Sequence, residues 1–176
     1  MAQGKREERR SNVIKVLNQA RAMELQAITQ YMNQHYNLDD MDFGEFAAKI
    51  KLIAIDEMRH AEMFAERIKE LGGDPVTEPA GKVTRDQEVE AVFPFDAQEE
   101  DTAITAYNQF LSVCQENSDS ISMKLFETII DDEQVHFNYF DSISAHIKKL
   151  GNAYLARIAG TPSSSGLQPS GFVVSE

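Results

Sequence analysis

Four long segments of the chain repeat apolar residues at the three-to-four-residue spacing of an amphipathic helix. The spacing predicts helices over residues 11–38, 42–71, 96–117 and 120 or 122–150. Ser11 suits a helix N-cap, and the Gly72-Gly73 pair suits a helix end. The third helix is expected to begin after Pro94, because a proline is unfavourable inside a helix. No segment carries the alternating pattern of a strand, so the predicted class is all-α.

The connections between these segments predict how the helices are arranged. Only a few residues join helices one and two, or helices three and four, so each pair should be antiparallel neighbours. Residues 72–95, between helices two and three, are rich in proline and glycine. A helix of about 30 residues is about 45 Å long, whereas this linker can reach roughly 80 Å when extended. We therefore predict a four-helix bundle with one long crossover between helices two and three.

The C-terminal residues differ in composition from the rest of the chain. Residues 152–159 can form a short fifth helix, and residues 160–176 are rich in serine, glycine and proline. Such a composition is typical of loosely ordered segments. We therefore predict one domain over residues 1–159, followed by a flexible tail over residues 160–176.

Each apolar stripe is interrupted near its middle by one glutamate, and in two helices a histidine follows three residues later. Side chains at that spacing project from the same face of a helix. Each buried carboxylate carries a penalty of several kcal/mol unless it is compensated, and these stripes contain no lysine or arginine. Two divalent metal ions would balance four carboxylates. The predicted ligands are Glu24, Glu57, His60, Glu100, Glu133 and His136.

The same ligand set is already known from ferritin-like di-iron and di-manganese bundles. Spacing alone leaves the metal open among iron, manganese and zinc. Tyr31 lies two turns beyond Glu24, and Tyr107 two turns beyond Glu100. Each tyrosine is either a redox or hydrogen-bonding neighbour of the metal or an ordinary buried residue whose hydroxyl is satisfied.

Charge and cysteine content narrow the possible functions. With 29 acidic and 17 basic residues the net charge is −12, which excludes nucleic acid as a partner. The acidity fits cationic partners such as metal ions, or solubility alone. The single cysteine, Cys114, rules out an intrachain disulfide and should be a small buried hydrophobe. Without a signal-peptide pattern or an apolar run of about 20 residues, we expect no membrane contact and a cytoplasmic location.

Three segments carry a resemblance to the bacterioferritin family. Leu25–Tyr31 (LQAITQY) follows Glu24, Ile55–Glu62 (IDEMRHAE) contains the first Glu-x-x-His motif, and Asp132–His136 (DEQVH) contains the second. Together they extend the resemblance over residues 12–158.

This resemblance implies a shell of 24 subunits, built of dimers, that stores ferric mineral. Each bundle would act as a ferroxidase, which oxidises Fe(II) with oxygen or peroxide at a di-iron centre. The family pattern gives Glu57 and Glu133 as bridging ligands, and Glu24 and Glu100 as terminal ligands. His60 and His136 would each bind one iron ion.

The family also binds haem between two subunits through one methionine from each. The matching position is Met58, which is rotated about 100° from Glu57 and so leaves the metal core. A thioether can serve as an axial haem ligand, although most helix methionines only pack. One departure concerns Leu52, which replaces a histidine that some members use for a further iron site beside Asp56.

Rubrerythrin-like di-iron peroxidases share the bundle and are the alternative. That family usually adds a cysteine-rich rubredoxin module, which a chain with Cys114 alone cannot form. The preferred prediction is therefore an iron-storing ferroxidase with a haem. A small redox protein would be a suitable electron donor for it.

Overall fold

The computed structural model describes residues 2–164 and 171–173, apart from the side chains of residues 2 and 3. It contains five helices in this part of the chain: α1 (Ala2–Asp40), α2 (Gly44–Glu70), α3 (Val89–Glu116), α4 (Ser120–Leu150) and α5 (Asn152–Ile158). The all-α class and the short fifth helix are confirmed. Within the described ranges, no helix combines the length and hydrophobicity that a membrane span requires.

The first helix begins much earlier than its hydrophobic pattern indicates. It starts at Ala2, so Ser11 lies inside it and is not its N-cap. Residues 4–12 are exposed and mostly charged, and the first buried residue of the stripe is Val13. Charged side chains such as arginine and glutamate favour helix without needing a buried face. A pattern of apolar positions therefore cannot detect this first part of α1.

The third helix also begins earlier than predicted, and it contains Pro94 in its interior. The first turns of α3 bury Val89, Val92 and Phe93 in the core, and each such burial contributes about 1.5–3 kcal/mol. Proline inside a helix costs about 3 kcal/mol, and Pro94 lies on the exposed face. The burial of its three neighbours outweighs that cost, so the helix continues back to Val89.

The predicted bundle with one long crossover is confirmed. Helix α1 packs mainly against α2, and α3 packs mainly against α4. The crossover, residues 71–88, runs along α1 and is hydrogen-bonded to it. Its amides at Val76 and Thr84 donate to the side chains of Asn18 and Gln30 at 2.8 and 2.7 Å. These bonds fix the crossover against the helix that supplies Glu24.

Among the described residues the apolar core forms two clusters, and the polar residues of the predicted site lie on the stripes between them. One cluster contains Tyr31, Phe46, Phe93 and Phe140 together with α5 residues. The other contains Leu17, Phe64, Phe126 and the buried Cys114, which confirms the interpretation of that cysteine. Packing on both sides holds the middle of each helix in place.

Part of the predicted flexible tail is packed against the bundle. The Phe172 side chain is 1% exposed, and its backbone amide donates to Asp56 Oδ2 at 2.6 Å. Closer to α5, the Gly160 amide donates to the Asp42 carbonyl at 2.7 Å. The polar composition of the tail does not predict that its one aromatic residue is buried. The remaining predicted tail, residues 165–170 and 174–176, lies outside the described residues.

The start of α4 provides a test of the fold. Asp119 accepts a hydrogen bond from the Ser122 amide at 3.0 Å and pairs with Arg67 of α2 at 2.8 Å. Asp119→Ala removes a helix cap and the partner of a largely buried arginine. We expect a loss of about 1–3 kcal/mol in the free energy of unfolding, measured by urea denaturation of metal-free protein. Asp131→Ala, on the exposed face of α4, should change it by less than about 0.5 kcal/mol.

Candidate metal centre

The six predicted ligands converge in the middle of the bundle. They form two groups, Glu24-Glu57-His60-Glu133 and Glu57-Glu100-Glu133-His136, and in each group the four potential ligand atoms lie within 4.8 Å of one another. All six side chains are buried, with at most 2% of each residue exposed. Glu57 and Glu133 belong to both groups. The arrangement is therefore two adjacent four-ligand sites that share two carboxylates.

The shared carboxylates each retain an oxygen without a hydrogen bond. Glu57 Oε1 and Glu133 Oε1 are buried and make no hydrogen bond. They lie 3.1 and 3.3 Å from Nδ1 of His136 and His60, close enough for electrostatic attraction. A buried carboxylate oxygen in this state is costly, and a cation between the two groups would satisfy it. Oxygen-rich donors with one imidazole per site suit iron, manganese or zinc.

Both histidines present Nδ1 to the carboxylates and Nε2 to an aspartate behind them. His60 Nε2 lies 3.3 Å from Asp132 Oδ2, and His136 Nε2 lies 3.5 Å from Asp56 Oδ2. An imidazole that donates Nε2–H to a carboxylate keeps Nδ1 free to bind metal. The aspartates therefore orient the two rings for metal binding through Nδ1.

Neither orienting aspartate is among the predicted ligands, although the chain contains a signal for both. Each Glu-x-x-His motif is preceded by aspartate, which gives the same D-E-x-x-H pattern at Asp56 and Asp132. Each aspartate contacts the histidine of the opposite helix rather than its own. Only the packing of α2 against α4 reveals that pairing.

The two tyrosines also contact carboxylates of opposite helices. The Tyr31 hydroxyl donates to Glu100 Oε1, and the Tyr107 hydroxyl donates to Glu24 Oε1, both at 2.5 Å. Both tyrosines are buried, and desolvation together with these carboxylates raises their pKa well above the usual value. They therefore remain neutral donors. Both interpretations of these tyrosines hold, because the bond that satisfies each hydroxyl is the bond to a glutamate of the site.

In the absence of metal, the surroundings raise the pKa of two of the four glutamates and lower the pKa of the other two. Burial raises the pKa of Glu24 and Glu100 well above the usual value, and repulsion from Glu133 and Glu57 adds to it. Burial also opposes ionisation of Glu57, but the two imidazoles outweigh it and lower its pKa to about 2. The same balance lowers the pKa of Glu133. The surroundings thus favour the ionised form of the shared carboxylates and the protonated form of Glu24 and Glu100.

The surroundings favour the charged form of both histidines. Burial would lower the pKa of His60 and His136, but Glu57, Glu133 and the orienting aspartates raise it well above the usual value. Divalent cations bound at the centre would therefore compete with protons for these ligands.

A cavity of about 240 Å³ connects the centre with the surface between α1 and α3. Glu24, Glu57, Glu100 and Glu133 line its inner part, and the exposed Thr102 lies at its outer part. The opening offers small ions a path to the shared carboxylates.

Met58 lies away from the centre, as its rotation from Glu57 predicts. It is 53% exposed and lines a groove of about 630 Å³ with the apolar residues Leu25, Ile28 and Ile55. Such exposure of a methionine in an apolar groove is typical of a surface that another molecule covers.

Comparison with known proteins shows similarity over nearly the whole chain. The Ferritin-like domain family matches residues 14–150. Bacterioferritin from Desulfovibrio desulfuricans is 62% identical, with 97% of this chain and 95% of that protein covered. Bacterioferritin BfrA of Mycobacterium tuberculosis is 32% identical, with 86% and 96% covered.

Solved structures of the same two relatives have the same fold. The D. desulfuricans crystal structure, which describes the diiron site of that protein in different catalytic states, superposes with a TM-score of 0.91 at 62% identity and covers 95% of this chain and 98% of that one. The M. tuberculosis BfrA structure gives 0.79 at 32% identity, with 84% and 93% covered.

The protons at the centre lead to a measurable expectation. Metal binding requires ionised carboxylates and neutral imidazoles, so lowering the pH should weaken binding as protons compete for the ligands. Binding of two Zn²⁺ ions per chain should therefore release protons near neutral pH. Calorimetric titration in buffers of different ionisation enthalpy measures how many. Glu100→Gln, which removes an acid whose pKa is raised, should release fewer protons than wild type; binding without proton release would contradict the direction of these pKa shifts.

Proposed function

The chain belongs to the bacterioferritin family, and from this premise we propose that the centre between its helices binds two iron ions. The function of the chain is iron storage with oxidation of Fe(II), so it is a ferroxidase. The observation that carries the assignment of the centre is the pair of four-ligand groups that share Glu57 and Glu133. No other set of buried acids and histidines among the described residues has this form.

The proposed ligand roles follow from membership of these groups. Glu57 and Glu133 would be shared by the two ions, because each belongs to both groups. Glu24 and His60 complete one iron site, and Glu100 and His136 complete the other. When bound, the two ions supply the electrons that an oxidant such as oxygen or peroxide accepts.

The surrounding residues hold these ligands in position and manage their protons. Tyr31 and Tyr107 donate to Oε1 of Glu100 and Glu24, which fixes the orientation of those carboxylates. Asp132 and Asp56 hold the histidine rings. The cavity between α1 and α3 gives Fe(II) a route to the shared carboxylates.

The finer assignments concern assembly and haem. We propose a cytoplasmic shell of 24 subunits built of dimers, in which the exposed Met58 of two subunits ligates one haem. The apolar groove around Met58 supports this, because it would be covered by the porphyrin and a second chain. A small redox protein that delivers electrons through the haem would allow stored ferric iron to be reduced and released.

The ferroxidase role of the centre is tested by removing a shared ligand. Glu57→Ala should lower the initial rate of Fe(II) oxidation by about 100-fold or more, because bound metal contributes several kcal/mol to such reactions. Stopped-flow absorbance of the ferric product, started with oxygen or peroxide, measures the rate. The control is Glu66→Ala, an exposed acid on the same helix, which should react like wild type. An unchanged rate in Glu57→Ala would exclude this centre as the site of oxidation.

The haem assignment is tested separately. Met58→Leu should abolish the visible haem absorption of purified protein while retaining Fe(II) oxidation, because Met58 lies outside the ligand groups. Met63→Leu, a partly buried methionine of the same helix, should retain both. Stoichiometric haem in Met58→Leu would refute the axial role.

A further inference from the structure

Residues 171–173 of the C-terminal tail make close contact with the side chains behind the metal centre. The Phe172 ring lies against His136, with ring centroids 6.2 Å apart, and against Tyr139 at 4.9 Å. Lys49 Nζ lies 5.0 Å from the centre of the same ring. The aromatic ring therefore packs directly against one of the two histidines of the centre.

The backbone of the same residues holds the carboxylate of Asp56. The amides of Phe172 and Val173 donate to Asp56 Oδ2 at 2.6 and 3.0 Å, and His136 Nε2 lies 3.5 Å from that oxygen. Arg59 Nη1 donates to the other oxygen, Oδ1, at 3.1 Å. One carboxylate thus connects the tail directly to a residue of the metal centre.

Gly171 makes this approach possible. Its φ is +80°, in the left-handed region that favours glycine, and a Cβ atom at this position would collide with Asp56 Oδ1 and approach Arg59 Nη1 to 2.5 Å. Any other residue would strain the backbone at this φ and would have to displace either the Asp56 carboxylate or the tail. The contact therefore depends on a glycine at this position of the chain.

The two halves of the centre differ because of this contact. Asp132, which orients His60, has 32% of its side chain exposed, whereas Asp56, which orients His136, has only 5% exposed. The D-E-x-x-H motif is the same in both helices, but the tail amides that bind Asp56 have no counterpart at Asp132 among the described residues. His136 is held by a buried, doubly hydrogen-bonded acceptor, and His60 by one that water can reach.

We propose that residues 171–173 act as a clasp that positions His136 through Asp56 and slows metal exchange at the Glu57-Glu100-Glu133-His136 site. The clasp keeps the imidazole oriented with Nδ1 toward the metal and excludes water from the Nε2 side. Carboxylates that orient a metal-binding histidine typically change metal affinity by about 10–100-fold. This inference rests on the proposed di-metal function of the centre.

The test uses Co²⁺, whose visible absorption reports its ligands without turnover. Wild-type protein freed of iron is loaded with Co²⁺ and mixed with excess EDTA, and the decay of absorption is followed in a stopped-flow instrument. We expect a fast and a slow phase, one for each site. Gly171→Ala and Phe172→Ala should accelerate the slow phase by about 10–100-fold and leave the fast phase unchanged.

Two further variants separate positioning from general destabilisation. Gly160→Ala is the matched control, because Gly160 has φ +77° but nothing within 4 Å of an added Cβ; its slow phase should match wild type. Asp56→Ala should accelerate the slow phase by itself, and adding Gly171→Ala to it should produce little further change, because both substitutions break the same connection.

Each outcome distinguishes the clasp from the proposed function on which it rests. Two Co²⁺ bound per chain with release phases that Gly171→Ala and Phe172→Ala leave unchanged would overturn the clasp and leave the di-metal centre intact. Equal acceleration of both phases would overturn the selective effect on His136. Failure of the wild-type protein to bind two Co²⁺ would refute the di-metal centre itself.

Discussion

The structure depends on the balance of charge in the middle of a helical bundle. Four glutamates and two histidines occupy positions that would otherwise be apolar, and the cost of burying them without compensation would exceed the stability of a typical domain. Without metal, the raised pKa values of Glu24, Glu100 and both histidines favour their protonated forms. With two divalent ions, all four glutamates can ionise and the histidines lose their protons. The same six side chains can therefore be accommodated in both states, which is what repeated uptake and loss of iron requires.

The contacts that the two tyrosines and the two orienting aspartates make with the ligands all run between different helices. Tyr31 of α1 donates to a glutamate of α3, and Tyr107 of α3 donates to one of α1. The aspartates of α2 and α4 make reciprocal contacts as well, since each contacts the histidine of the other helix. Rotation of one helix would therefore disturb ligands on another. Together with the apolar clusters on either side, these crossed bonds fix the distance between the two ligand groups.

The sequence predicted most of this centre because its chemistry interrupts a regular pattern. A glutamate on an apolar stripe is easy to see in the sequence and costly to bury. Few arrangements can accommodate one such glutamate on each of four helices. The spacing of apolar residues could not predict features in which no polar residue interrupts an apolar stripe. The charged first turns of α1 lack apolar residues, and the continuation of α3 through Pro94 depends on burying Phe93. The orienting role of Asp56 and Asp132 depends on how the helices face one another, which their own sequence positions do not specify.

The packed part of the tail shows why composition is a weak guide to a short segment. A Ser-, Gly- and Pro-rich chain lacks enough apolar area to fold alone, but one phenylalanine can use a surface that the bundle has already formed. The entropy cost of ordering three residues is about 3–6 kcal/mol for the backbone, and one buried phenylalanine contributes only about 1.5–3 kcal/mol. The rest must come from polar contacts, and two amides on a buried carboxylate are charge-assisted bonds of about 1.5–3 kcal/mol each. The contact thus needs both Phe172 and the ionised Asp56, so the ordering of the tail is coupled to the carboxylate that orients His136.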